Sequence, residues 1–186
     1  MAGTDLVVIG AGPGGYVAAI RAAQLGMKVV IAEKDACGGT CLNYGCIPTK
    51  ALYKNAQVMG YMDHSREFGI EIDGYRLDME QVQARKNKIV KTLTGGVEYL
   101  LKSNKVAIEK GCAKIIKAGL VEVTGKDGTV KRLETKRILI ASGSKSSRLP
   151  IEGMDLEGVI TSKEALDMKT VPEEIVIIGG GVIGIE

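Results

Sequence analysis

The sequence predicts an α/β fold in which a parallel sheet is joined to a small antiparallel β-meander. Short apolar runs end at glycine-rich turns, 25 glycines stand against 4 prolines in 186 residues, and aromatic side chains make up only 4%. Strands of a parallel sheet are buried on both faces and are built mainly from aliphatic residues, which is the composition found here. With 45% apolar and 25% charged residues, the chain has the composition of a globular protein.

The charge distribution and the first residues argue against several classes of function. The formal net charge is +3, from 25 basic and 22 acidic side chains, without a long block of either sign. A nucleic-acid surface is therefore not expected. Residues 1–5 contain no basic region, and the apolar stretch after them is short and broken by glycines, so neither a signal peptide nor a membrane span is predicted. These features predict a cytoplasmic protein that binds neither nucleic acid nor membrane.

The first third of the chain predicts a βαβ unit followed by a loop and a helix. Apolar runs predict strands at residues 5–9 and 27–32, and a pattern of small residues predicts a helix at 16–25 between them. Residues 34–46 are rich in Gly and Cys and predict an irregular loop. Pro48 fits the first turn of a helix that continues to about Met62.

Later segments predict a long helix, the meander and a connection to a second domain. Apolar residues at helical spacing, with a basic outer face, predict a helix from Asp78 to about Lys102. The following strands are predicted at residues 106–109, 113–118, 120–124, 129–134 and 137–141, with a short helix at 162–168 and a strand at 174–178. We expect a first domain at residues 1–147 with its meander at about 113–134, an inter-domain connection at 148–172, and the start of another domain at 173–186.

The turn at residues 10–15 has the pattern G-x-G-x-x-G between a predicted strand and a predicted helix. Gly10 permits the tight turn, Gly12 lets the backbone approach a pyrophosphate, and Gly15 lets the helix pack close to the strand. Glu33 follows the next strand, 18 positions beyond Gly15, where a carboxylate can bind a ribose. The combination predicts a dinucleotide site; the alternative is a glycine turn that serves packing only.

Two cysteines lie in the segment Gly38-Gly39-Thr40-Cys41-Leu42-Asn43-Tyr44-Gly45-Cys46-Ile47-Pro48-Thr49-Lys50. A regular helix rises about 1.5 Å per residue, whereas the Cα atoms of a disulfide approach within about 7 Å, so the backbone between Cys41 and Cys46 must be irregular. Gly45 allows this, and the helix predicted to begin near Pro48 leaves Cys46 near a positive helix end that favours thiolate. Such a pair can exchange with an external dithiol and pass electrons to a flavin. A structural bridge or a metal site is the alternative, and His64 lacks a suitable spacing for a ligand.

This segment resembles the redox-active disulfide segment of the pyridine nucleotide-disulfide oxidoreductases, and that of the dihydrolipoamide dehydrogenases in particular. The resemblance implies a Rossmann-like FAD-binding domain that is incomplete at the carboxy terminus. It also implies catalytic roles for four residues. Cys41 would exchange with the dihydrolipoyl substrate, Cys46 would lie next to the flavin ring, and Lys50, close to the flavin, would pair with Glu186.

The resemblance further implies which residues hold the cofactors, and it implies no metal. The FAD-binding residues would be Gly10, Gly12, Gly14, Gly15, Glu33, Lys34, Gly39, Thr40, Ala113, Ala141, Ser142 and Gly143. Ser142 stands where the family usually has threonine, and Tyr44 where many members have a smaller or a basic residue. A second G-x-G-x-x-G motif, with Gly179, Gly181 and Gly184, looks like the start of an NAD-binding domain.

The activity implied for the complete enzyme is oxidation of a lipoyl-bearing protein of a 2-oxoacid dehydrogenase or glycine cleavage complex, through the disulfide and FAD to NAD. A homodimer is expected only for the full-length enzyme, for which the resemblance implies a catalytic histidine from a carboxy-terminal domain of the partner subunit. One alternative is a glutathione or mercuric reductase, which usually carries Val in place of Leu42 and Ile47. Another is a flavin- or nucleotide-binding module without turnover, which we expect of the isolated chain.

Overall fold

The computed structural model describes residues 3–147 and 149–186 as a mixed α/β protein. Its strands are β1 (Thr4–Ile9), β2 (Val29–Glu33), β3 (Ala107–Lys110), β4 (Cys112–Lys117), β5 (Leu120–Thr124) and β6 (Val130–Ile140). Its helices are α1 (Pro13–Gln24), α2 (Gly39–Tyr44), α3 (Cys46–Asp63), α4 (Met79–Ser103), α5 (Ser162–Ala165) and α6 (Val182–Ile185), with a 3-10 turn at Ser65–Phe68. Within the part of the chain that the structure describes, no helix combines the length and apolar character needed to cross a membrane.

All the strands belong to one six-stranded sheet with the order β3-β2-β1-β6-β5-β4. Four neighbouring strands, β3, β2, β1 and β6, pair in parallel. The antiparallel meander consists of β6, β5 and β4. The predicted combination of a parallel sheet with a small meander is therefore confirmed.

One strand, β6, belongs to both parts of the sheet. Its first half pairs antiparallel with β5, from Val130 opposite Thr124 to Glu134 opposite Leu120. Its second half pairs parallel with β1, ending with Ile140 opposite Ile9. The prediction of two separate strands at 129–134 and 137–141 is wrong, because no glycine or proline interrupts the strand between them.

The hydrophobic core also crosses from the parallel strands to the meander. One cluster of buried residues contains Val7 and Ala32 from the parallel part and Val121, Val123 and Leu133 from the antiparallel part. Because these buried side chains pack against one another, the cluster joins the two parts of the sheet in one core.

The structure divides into two compact units. One comprises the described residues up to Asn43 together with Thr92–Lys145, and it contains the whole sheet and α1. The other comprises Tyr44–Lys91 and the described residues from Ser146 to Glu186, and it contains α3, α5 and α6.

Two segments differ from their predicted structure. The predicted loop at 34–46 contains α2, and α3 begins at Cys46, so only Gly45 interrupts the helical backbone there. The predicted strand at 174–178 is not formed, and Val176 in it is 90% exposed. A strand is stabilised by pairing with a neighbour, and these residues have no strand partner among the residues described.

A buried lysine in the second unit connects α4 to the end of α5. Lys86, on α4, is 3% exposed and donates hydrogen bonds to the Leu166 carbonyl, at 2.8 Å, and to the carboxylate of Asp167. The amide nitrogen of Gln83, one turn earlier, donates to the Leu166 and Met168 carbonyls at 3.2 and 2.9 Å. The end of α5 is therefore capped by two side chains of α4.

Replacement of Lys86 by methionine should destabilise this unit. Methionine fills the space of the aliphatic stem but removes the ammonium group, so Leu166 and Asp167 lose a charge-assisted hydrogen-bond donor. We expect a loss of about 1–3 kcal/mol in the free energy of unfolding, measured by urea denaturation. Lys102→Met is the matched control, because Lys102 lies on the same helix with its side chain exposed; equal losses in the two variants would contradict the prediction.

Candidate dinucleotide site and redox segment

The turn between β1 and α1 requires glycine at two positions. Gly10 has a φ of +101°, and a Cβ there would lie 2.2 Å from the carbonyl oxygen of Ala141. A Cβ on Gly15 would lie 1.8 Å from the carbonyl oxygen of Gly10. Both contacts are far inside van der Waals distance, so the backbone is packed here as closely as the motif predicts.

A second glycine loop packs against this turn. The amide of Gly38 donates to the carbonyl of Ala11 at 2.8 Å. Gly39, with a φ of +59°, comes so close to Gly12 that a Cβ on it would lie 2.5 Å from the Gly12 Cα. Two backbone turns thus meet without side chains between them, and Gly12 is the residue that precedes the first turn of α1.

Glu33 lies at the end of β2 beside the first turn. Its carboxylate accepts a hydrogen bond from the Ala11 amide at 2.7 Å and another from the Asp35 amide at 2.8 Å. A carboxylate has about four acceptor positions, so lone pairs remain for the hydroxyls of a ribose. Lys34, the next residue, is exposed.

Residues 141–143, which are also predicted to bind FAD, adjoin the same turn. The Ala141 amide donates to the Ile9 carbonyl at 2.8 Å, which continues the pairing of β6 with β1 up to the glycine turn. Gly143 has a φ of +69°, and Ser142 is exposed. The chain near Ala113 also approaches, because the amide of Gly111 donates to the Glu33 carbonyl at 2.9 Å.

The first unit therefore brings six of the twelve predicted FAD-binding residues to one edge of the sheet. These are Gly10, Gly12, Gly15, Glu33, Gly39 and Ala141. Gly14 and Thr40 are exposed, and a Cβ on Gly14 would meet nothing within 4 Å, so packing alone does not require glycine there. The closely packed backbone and the start of a 12-residue helix fit the pyrophosphate of a dinucleotide.

The two cysteines of the redox segment lie on consecutive helices. Cys41 lies in α2 and is half-buried, and Cys46 is the first residue of the 18-residue helix α3 and is exposed. No disulfide bond joins their sulfur atoms in the structure. The helix begins two residues earlier than predicted, so Cys46 itself is its amino-terminal residue.

Asn43 makes structural hydrogen bonds that the sequence pattern did not predict. Its side-chain amide donates to the carbonyls of Gly39, at 2.9 Å, and Cys37, at 3.1 Å, and so attaches α2 to the glycine loop before it. The signal for it was a polar residue four positions after a helix-initiating glycine.

Burial raises the pKa of the Cys37 thiol, and the nearby carboxylates of Glu98 and Glu33 act in the same direction, so this thiol stays protonated.

The second unit joins Lys50 to Glu186. The Lys50 ammonium group donates to a carboxylate oxygen of Glu186, 136 positions away in the sequence. The side chains are 58% and 39% exposed. An ion pair this exposed contributes little to stability. Lys50 lies on α3, one helical turn after Cys46.

The second G-x-G-x-x-G motif has the same backbone geometry as the first. Gly179 has a φ of +108°, and a Cβ on Gly184 would lie 2.3 Å from the Gly179 carbonyl oxygen. Gly181 precedes α6 with φ −74° and ψ 171°, against −72° and −178° for Gly12 before α1. The turn therefore takes this conformation although no strand is formed before it.

Among the described residues, no group of three or more His, Cys, Asp or Glu side chains could hold a metal ion. His64 lies at the end of α3, with its Nδ1 atom 3.5 Å from the Glu67 carboxylate.

Known proteins resemble the chain over its whole length. It is 49% identical to the mitochondrial dihydrolipoyl dehydrogenase of Dictyostelium discoideum, over 98% of this chain and 38% of that protein. It is 47% identical to the mitochondrial dihydrolipoyl dehydrogenases of Bos taurus and Homo sapiens, over 98% of this chain and 36% of each relative. The chain thus spans little more than a third of the length of these relatives.

A solved structure has the same fold. It is the Cu(II) complex of the HOCl-induced flavoprotein disulfide reductase RclA from Escherichia coli, which matches with a TM-score of 0.84 and 29% identity, over 100% of this chain and 39% of that one. The match confirms the predicted Rossmann-like fold of a flavoprotein, present here in part.

The relatives overturn the expected location. These dihydrolipoyl dehydrogenases are named mitochondrial, so the prediction of a cytoplasmic protein is wrong. That prediction rested on residues 1–5, whereas neither the glycine turns nor the sheet carries information about the compartment.

A family model, described as pyridine nucleotide-disulphide oxidoreductase, matches residues 4–186. The matched range contains both glycine turns, both cysteines of the redox segment and the Lys50–Glu186 pair. FAD and NAD are the cofactors that this family and the relatives imply. The chain belongs to the pyridine nucleotide-disulphide oxidoreductase family.

Proposed function

We propose that this chain is the flavin-binding and thiol-bearing part of a dihydrolipoyl dehydrogenase. The complete enzyme oxidises a dihydrolipoyl group through a Cys41–Cys46 disulfide and FAD to NAD. The observation that carries the proposal is the contact of the two glycine loops, because the loop that leads into the cysteine segment packs on the dinucleotide turn at Gly12 and Gly39. The identities of 47–49% to dihydrolipoyl dehydrogenases support this choice of substrate.

The sheet edge in the first unit would hold the adenosine diphosphate half of FAD. The backbone of residues 10–15 would face the pyrophosphate, with Gly39 and Thr40 on its other side, and Glu33 would bind the ribose hydroxyls. Ala113 and the segment from Ala141 to Gly143 would line the remaining edge. In this assignment residues 1–147 are the FAD-binding domain, 148–172 connect, and 173–186 begin the NAD-binding domain, whose turn at Gly179 and Gly184 would face the NAD pyrophosphate.

The cysteine pair would carry out the exchange with substrate. One thiolate of the dihydrolipoyl group attacks the Sγ of Cys41, which breaks the S–S bond and leaves Cys46 as a thiolate at the start of α3. The second lipoyl thiolate then displaces Cys41, so the lipoyl group leaves as a disulfide, and its two electrons reside on the cysteine pair. FAD, when bound, would supply the acceptor for this electron pair and the connection to NAD.

Lys50 would assist the exchange reaction through its positive charge. The Glu186 carboxylate holds the Lys50 ammonium on the same helix as Cys46, and a fixed cation stabilises negative charge that develops nearby. The partner of the complete enzyme would be a lipoyl-bearing protein of a 2-oxoacid dehydrogenase complex or of the glycine cleavage complex.

The visible spectrum of the purified chain tests the cofactor assignment. After addition of FAD and gel filtration, the chain should retain a yellow flavin spectrum. A dithiol should then produce a long-wavelength band, because a Cys46 thiolate beside the flavin gives a charge-transfer transition. A protein that emerges colourless would contradict the flavin site.

The substrate assignment needs the complete enzyme. Reduction of NAD by dihydrolipoamide should be far faster than reduction of glutathione disulfide by NADPH. The reverse preference would identify another reductase of the same family and leave the flavin site intact.

A further inference from the structure

The first turn of α3 carries Cys46 outside the buried part of the helix. Pro48 and Ala51 are buried, whereas Cys46 is exposed. Proline has no amide hydrogen, so Pro48 donates no backbone hydrogen bond to this turn. Burial thus fixes the helix from Pro48 onward, and the conformation of Cys46 depends on the hydrogen bonds that close the turn around it.

Thr49 donates two hydrogen bonds to the residue before Cys46. Its amide donates to the Gly45 carbonyl at 3.1 Å, which is the backbone bond that closes the first turn. Its side-chain hydroxyl donates to the same carbonyl oxygen at 2.7 Å. A carbonyl oxygen has two lone pairs, so it accepts both bonds. The helical conformation of Cys46 therefore depends on a carbonyl that Thr49 holds twice.

Gly45 makes this attachment necessary. Glycine has access to more backbone conformations than other residues, and Gly45 has a φ of −145° and a ψ of −118°, which is neither helical nor extended. The peptide that joins Gly45 to Cys46 can turn about the bonds on either side of it. The two hydrogen bonds from Thr49 hold the oxygen of this peptide toward the helix, and the backbone of Cys46 stays helical as a result.

We propose that Thr49 is a positioning residue for the redox chemistry, because its hydroxyl holds the Gly45 carbonyl and thereby keeps the Cys46 thiol at one position on α3. The inference rests on the proposed redox role of Cys46. In that role the thiolate must lie against the flavin, and a thiol on a frayed helix end is spread over many positions. Thr49 acts through the backbone, by way of the peptide before Cys46.

Amide hydrogen exchange, followed by NMR on the 186-residue chain, tests the positioning. Thr49→Val keeps the shape of the side chain and removes the hydroxyl, whereas Thr49→Ser keeps the hydroxyl. The protection factor of the amide of residue 49 measures how often the first turn opens. It should fall about two- to tenfold in Thr49→Val, as expected for the loss of one hydrogen bond, and stay unchanged in Thr49→Ser. Residues 57–60, later in the same helix, should keep their protection in both variants.

The visible spectrum connects this result to the redox role. With FAD bound and a dithiol added, Thr49→Val should give a weaker long-wavelength band per bound flavin than the unsubstituted chain, and Thr49→Ser should give the full band. An unchanged protection factor at residue 49, an equal loss at residues 57–60, or an undiminished band in Thr49→Val would overturn the proposal. Absence of the band from the unsubstituted chain would contradict the proposed function instead, and hydrogen exchange would still decide whether Thr49 holds the first turn.

Discussion

Replacement of Gly15 by alanine is expected to destabilise the chain by about 3 kcal/mol or more and to abolish FAD binding. The new Cβ would lie 1.8 Å from the Gly10 carbonyl oxygen and 2.9 Å from its carbon. These are backbone atoms held by the start of α1 and the end of β1, so a rotamer change cannot relieve the clash. The helix must move away from the turn that faces the pyrophosphate.

Gly14→Ala is the matched control for this substitution. Gly14 occupies the adjacent position of the same helix, yet it is exposed, and a Cβ there would meet nothing within 4 Å. Alanine is favoured over glycine inside a helix by about 1 kcal/mol, so stability should stay the same or rise. Urea denaturation measures the stability of both variants, and the flavin content after gel filtration is measured for Gly15→Ala alone, because Gly14 is itself a predicted FAD-binding residue. Similar losses in the two variants would mean that close packing at Gly15 is not what the motif requires.

Replacement of Cys46 by serine should reduce the rate of flavin reduction by dihydrolipoamide on the order of a thousandfold or more in the complete enzyme. A hydroxyl of similar size keeps the packing at the start of α3, but it can neither form the disulfide nor supply a thiolate. The long-wavelength band that a dithiol produces should vanish with it. Stopped-flow absorbance follows both quantities.

Cys112→Ser provides the comparison for the cysteine experiment. Cys112 is also an exposed thiol, but it lies on the meander strand β4. We expect no change in the rate of flavin reduction or in the band. Retention of fast reduction in Cys46→Ser would assign the electron transfer to another group and would contradict the redox role of the segment.

Features determined by neighbours in the sequence could be predicted from it. The first glycine turn depends on residues within one strand–turn–helix unit, so the positions of Gly10 and Gly15 could be inferred before their close contacts were known. The break at Gly45 and the position of Cys46 at a helix start also follow from local preferences. The approach of Gly39 to Gly12, in contrast, depends on how the two loops pack. The glycines in the sequence indicate only that each loop can come close to a ligand.

Features determined by distant pairing could not be predicted in the same way. The segment from residue 174 to 178 has the apolar composition of a strand, but pairing with other strands decides whether it becomes one. The cation–π contact of the Lys163 ammonium with the Tyr44 ring, 4.7 Å from its centroid, joins residues with no periodic relation in the sequence. Asn43 could have been suspected from its spacing to Gly39, whereas its second acceptor, the Cys37 carbonyl, is a matter of tertiary geometry.

The double role of β6 also has a consequence for how the chain acquires its structure. This strand lies between β1 and β5, and its residue Thr135 pairs with Thr4, so the centre of the sheet joins residues 131 positions apart. During synthesis on the ribosome, β1 and β2 emerge long before β6, and one edge of β1 stays open until residue 140 is available. Closure over such a sequence separation is slow, and an open strand edge favours aggregation. We therefore expect this chain to depend on chaperones until β6 has been inserted.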